Sequence, residues 1–187
     1  MAVTTFYLHE DDWGMINLLP AENAVWVEEI AQEAQQASWE NFAGFAQLGD
    51  AQIPTYHNVY VIPEEKFPLS ERGIHLNDLR SLLVDKWPEA AKVSSGFSSH
   101  TEELSRVFAF GAAHGGEGAF YGNHKAEMVT RLHIRPSYDE PQELEAFGAA
   151  LAQLGKQYDL MLADWWAKTV VDLRNPERIR SYLAGES

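Results

Sequence analysis

Cysteine is absent from this 187-residue chain, which excludes disulfides, thiolate nucleophiles, zinc–thiolate sites and cysteine-ligated iron–sulfur clusters. A reducing compartment suits that composition. Basic residues are missing from the entire first third. Lys66 is the first of them, after 11 acidic residues, so residues 1–65 carry 11 of the 14 net negative charges. Such a field repels nucleic acid and anionic membrane and favours a basic partner. Apolar runs of the roughly 18–20 residues that span a bilayer are missing too, and the first ten residues lack the basic start and apolar stretch of a secretion signal. A cytoplasmic protein is the expectation.

Cofactor and catalytic signatures are equally scarce. The glycine-rich stretch Gly111 to Gly118 matches neither the P-loop nor the dinucleotide fingerprint, and Glu117 would oppose a phosphate. Serines at 94, 95, 98, 99 and 105 surround His100 without a nucleophile elbow. No catalytic residue and no cofactor is assigned. Seven histidines invite a metal reading, the densest cluster being His114, Glu117, His124, Glu127 and His133. Its spacing follows no recognised ligand pattern, because His124 and Glu127 would share a face only in a helix and the local pattern is that of a strand. No metal is assigned.

What is present is a foldable chain, with 45% hydrophobic and 12% aromatic residues, enough apolar surface to offset the ordering entropy that keeps acidic tails unfolded. The length suits one domain spanning 1–187. Thr4 to Leu8 and Trp13 to Leu19 read as strands joined by the turn Glu10-Asp11-Asp12, which predicts an N-terminal hairpin. After Pro20 the period becomes helical, with Val27, Ile30, Ala31 and Ala34 on one stripe. Residues 41 to 56 show no clean period and read as loop or a short helical turn; Asn58 to Ile62 reads as a strand. Leu76 to Trp87 reads as a helix stopped by Pro88, and residues 94–99 as loop or frayed edge.

Strands follow at Leu104 to Phe110, Ala119 to Gly122 and Glu127 to Arg135, joined through the Gly115–Gly118 turn. Glu140 to Gln157 has the clearest helical stripe (Leu144, Phe147, Leu151, Leu154). A hairpin from Leu160 to Leu173 and a last helix capped by Asn175-Pro176-Glu177 complete the chain. Strands in consecutive groups with few βαβ units predict an α+β fold: a mainly antiparallel sheet covered by three to four helices.

Two constellations stand out. On a helix running to residue 40, Glu22, Glu29, Glu33 and Glu40 fall within about 20° of one line, with Trp26 about 40° away. Together with Glu10, Asp11, Asp12 and Trp166 they make a carboxylate-rich docking surface with aromatic anchors. Trp165 and Trp166, if in a strand, point to opposite faces, leaving one of them as a contact residue. Solvated carboxylates that serve only solubility are the plain alternative.

The second constellation is the strand from Glu127, whose alternation places Val129, Arg131, His133 and Arg135 on one face. With Arg106 it would line a sheet with three arginines and a histidine, a grip for an anionic small molecule; a solvated sheet face is its plain alternative. The first constellation is the preferred one. It predicts a non-enzymatic module that docks a basic protein, of the kind represented by bacterial immunity proteins that cover the cationic site of a toxin domain. A small enzyme or sensor using the arginine face is the second expectation, and a homodimer through an edge strand or Trp166 the third.

Overall fold

The computed structural model describes residues 5–9, 14–46, 63–97, 100–111, 118–136 and 141–186, with side chains left undescribed for 40–46 and Phe97. The chain adopts the expected α+β architecture. In order, the elements are β1 (Thr5–Leu8), β2 (Ile16–Pro20), α1 (Ala24–Ala46), α2 (Leu76–Leu83), β3 (Lys92–Phe97), β4 (His100–Glu103), β5 (Val107–Phe110), β6 (Ala119–Lys125), β7 (Met128–Arg135), α3 (Pro141–Tyr158), β8 (Leu160–Asp164), β9 (Thr169–Asp172) and α4 (Pro176–Leu183). Six strands form a large sheet in the order β5-β6-β7-β2-β8-β9, all neighbours antiparallel. Three form a small sheet, β1-β3-β4, in which β1 runs parallel to β3.

Alternation along the strands explains why the large sheet is covered on both sides. Phe108 and Phe110 of β5, and Leu160 and Leu162 of β8, enter the main core beneath α2, α3 and α4. Their neighbours point the other way: Ala109 meets Phe6, Leu8 and Val93 of the small sheet, and Met161 and Ala163 meet Trp26, Val27 and Ile30 of α1. Strand β8 is therefore buried along its whole length, as its unbroken apolar run Leu-Met-Leu-Ala requires. Trp87, Phe120 and Phe147 lock the main core, with ring centroids 4.6 to 5.7 Å apart; such pairs are worth about 0.5–1.5 kcal/mol each beyond their buried area.

Several sequence expectations are corrected. The predicted N-terminal hairpin does not form, because Phe6 and Leu8 are drawn into the second core while Leu18 belongs to the first, so β1 and β2 join different sheets. The polar stretch expected as loop or frayed edge lies, through residue 97, in strand β3, the middle strand of the small sheet. Its small residues let the chain fold back closely: a Cβ on Gly96, at φ 138°, would lie 2.0 Å from the His100 carbonyl oxygen. Helix α1 continues unbroken through 41–46, where loop or a short helical turn was expected. The strand predicted from Leu104 to Phe110 begins only at Val107, after a turn in which Arg106 adopts φ 61°. The strand predicted over 58–62 and the turn predicted at 115–118 include residues outside those described. Helices α3 and α4 match their expected spans, and the Asn175 side chain caps α4 by accepting from the amides of Glu177 and Arg178 at 3.0 and 3.2 Å.

Candidate functional site

Helix α1 is anchored by its first two turns. Trp26, Val27 and Ile30 pack on β2 and β8, and just ahead of the helix the Asn23 side chain pairs with the backbone of Phe67, donating to its carbonyl at 2.8 Å and accepting from its amide at 3.1 Å. Between Ile30 and Trp39 no residue is fully buried. At 100° per residue, Val25, Gln32 and Trp39 make the outermost line, and Val25 and Trp39 are 65% and 61% exposed. Glu29 and Glu33 flank that line on one side and Glu28 on the other, all exposed, and no lysine or arginine occurs between Ala24 and Ala46.

Two glutamates of the ridge have basic neighbours within the fold. Glu22 pairs with Arg72, and Glu29 lies 4.0 Å from Lys66 with both side chains more than half exposed, a contact worth little in water. Residues 20–46 and 63–72 together hold eight acidic residues against two basic ones. Trp26 corrects the sequence reading: it is 7% exposed and meets Trp165 edge-on at 6.3 Å, so it is a core residue. The stripe that anchors the helix includes it because the carboxylate ridge runs along the helix flank.

Trp166 is 69% exposed in the turn between β8 and β9. That turn is fixed by Asp164, a buried carboxylate that accepts from the amides of Trp166 and Ala167 at 2.9 Å each and from the Tyr182 hydroxyl at 2.6 Å. A groove of about 350 Å³ separates the turn from α1, with Glu28 and Gln35 on the helix side and Lys168 and Arg178 opposite. Of the remaining docking candidates, Glu40 lies on α1 with its side chain undescribed, and Glu10, Asp11 and Asp12 fall outside the described residues.

The arginine face is dispersed. A β-bulge between Asn123 and His124 leaves Thr130 as an extra residue on β7, so Val129 turns into the main core instead of joining Arg131, His133 and Arg135. Arg106 sits in the β4–β5 turn, Arg131 is exposed, and Arg135 folds over the Phe6 ring with its guanidinium carbon 4.8 Å from the centroid. Strand rise puts Arg131 and Arg135 roughly 13 Å apart. His133, expected on an open face, is 5% exposed, on the side of the large sheet that the small sheet and α1 cover. Its ring lies 5.3 Å from that of Tyr121.

The Asn17 amide satisfies all its neighbours when its nitrogen donates to the Gly14 carbonyl at 2.8 Å and to His133 Nδ1 at 2.7 Å, while its oxygen accepts from Trp165 Nε1 at 3.2 Å. His133 then carries its proton on Nε2 as a neutral ring. Burial, reinforced by the Arg131 charge, pushes its pKa down to about 4.

The histidine cluster does not assemble on one side. His124 faces the main-core side beside Phe108, and His133 the other. A tight hairpin turn, not a helix, brings His124 within 3.8 Å of Glu127. His114 and Glu117 lie outside the described residues, and among the described ones no three histidine or acidic side chains are placed to hold a metal. Nor is any described helix long and apolar enough to cross a membrane.

Sequence reading missed the polar groups that organise this region. Asn17 interrupts Ile16-Asn17-Leu18-Leu19, and Asp164 ends the apolar run of β8; a lone polar residue in a buried strand is the signal that pointed to them. Compared with protein-family models, curated proteins and solved structures, the chain matches none.

Proposed function

We propose that this protein is a non-enzymatic binding module whose α1 face docks a basic protein partner, in the manner of an immunity protein covering the cationic site of a toxin. The observation that carries the reading is the outward face of α1: exposed Val25 and Trp39 set among Glu28, Glu29 and Glu33, on a helix without a single cation. Carboxylates steer a cationic partner and accelerate encounter, while exposed aromatic side chains supply the desolvated contact area that determines dissociation. Trp166, presented next to the same helix by a turn rigidified through Asp164, extends the apolar part of the surface.

Capture from a lysate of the native host tests this, using the wild type beside the double variant Glu29→Lys, Glu33→Lys and the single variant Trp39→Ala. The reading expects a basic protein that the wild type retains, that the charge-reversed variant loses, and that Trp39→Ala retains with at least tenfold weaker affinity, about 1.4 kcal/mol. The same proteins on wild type and charge-reversed variant, or none that are basic, would refute it.

A further inference from the structure

The large sheet is least regularly paired at its centre. Strands β2 and β7 register only at Asn17 and His133, and the bulge at Thr130 lies three residues away on β7, its hydroxyl donating to the Asn123 carbonyl at 3.2 Å. The crossing segment 63–69 brings Glu64, Glu65 and Leu69 to this junction, where a cavity of about 250 Å³ remains.

Its walls combine opposite charges with an apolar surface. Arg131 lies on one wall, Glu64 and Glu65 belong to the crossing segment, and Leu19, Leu69 and Trp165 complete the lining above the Asn17–His133 pair. None of the three charged side chains makes an ion pair with a described residue. With His133 neutral, the wall charges sum to minus one, which disfavours phosphate and dicarboxylates and suits a molecule bearing both signs. At roughly 30 Å³ per water-sized group the space holds about eight heavy atoms, the size of valine or leucine. We propose that this cavity binds a free aliphatic α-amino acid, its carboxylate on Arg131, its ammonium group on Glu64 and Glu65, and its side chain against Leu19 and Trp165. The site is separate from the outward face of α1, so it stands or falls independently of the docking reading.

Isothermal titration calorimetry with leucine, N-acetyl-leucine, leucinamide, succinate and inorganic phosphate tests the assignment. Leucine is expected to bind with a Kd below about 1 mM, and blocking either its amine or its carboxylate should weaken binding at least tenfold. Arg131→Gln should abolish leucine binding. Arg131 is exposed, so an unchanged circular-dichroism spectrum verifies that this variant folds; the double variant Glu64→Gln, Glu65→Gln gives a second, independent loss. Failure of leucine and valine to bind, tighter binding of phosphate or succinate, or leucine binding indifferent to these substitutions would overturn the proposal.

Discussion

His133 is the residue at which burial has the clearest thermodynamic consequence. Its folded pKa of about 4 lies below the ordinary 6.5, so between these values the unfolded chain holds a proton that the folded chain does not. Stability therefore falls as pH drops through that window. Urea unfolding should show a loss of about 2 kcal/mol between pH 7 and pH 5 from this group alone, at 1.36 kcal/mol per pKa unit. His133→Gln should remove most of that dependence, and an unchanged slope would contradict the assignment. Asp172 acts elsewhere on the scale: Arg174 holds its carboxyl below 3.8, so the stability it contributes is present above that pH and fades only in stronger acid. Asp164→Ala is expected to cost about 2–3 kcal/mol, since it strips two amides and a hydroxyl of their acceptor in a buried turn. Thermal unfolding with a change below 1 kcal/mol would show that the turn stands without it.

At the scale of elements, Gly155 shows how tightly α3 meets the chain after β9. A Cβ there would lie 2.3 Å from the Leu173 Cβ, so Gly155→Ala should destabilise by 2 kcal/mol or more, despite the roughly 1 kcal/mol that alanine favours within a helix; denaturant midpoints measure it. How much of this architecture the sequence disclosed follows from the range of its signals. Stripes such as Leu144, Phe147, Leu151 and Leu154 are local, and α3 was readable from them, as was α4 from Asn175 and Pro176. Pairing is not local. That β1 would seek β3 and not β2 depends on which core takes Phe6, and no periodicity encodes that choice.

The β6–β7 turn was hidden for another reason. Ala126 and Glu127 adopt φ 51° and 64° without the Asn-Gly signature such turns favour, and are held there by tertiary contacts: Arg80 to the Glu127 carboxylate at 3.2 Å and the Leu76 amide to its carbonyl at 2.8 Å. In the candidate surfaces, helical period placed Glu29 and Glu33 on a flank of α1 where both side chains are exposed. It misjudged Trp26, because 40° of helix rotation is enough to move a side chain from an exposed flank into the core.

The molecule as a whole carries 14 net negative charges, and what matters for its role is where they remain uncompensated. Basic residues inside the fold meet acids mostly away from the outward face of α1, as in Arg80 with Glu89 and Glu127, Lys92 with Glu103, and Arg174 with Asp159 and Asp172. Lys66 and Arg72 meet Glu29 and Glu22 at the start of the ridge. Attraction between the proposed negative helix face and a positive partner would be screened over about 8–10 Å at physiological salt. The most direct test is the association rate of the captured basic partner, measured by stopped-flow fluorescence at about 0.01 M and about 0.15 M salt, for wild type and for Glu29→Lys, Glu33→Lys. The wild-type rate is expected to fall at least tenfold over that range, and the variant's to be slow and nearly salt-independent. Equal rates and equal salt dependence in the two proteins would contradict the docking role assigned to α1.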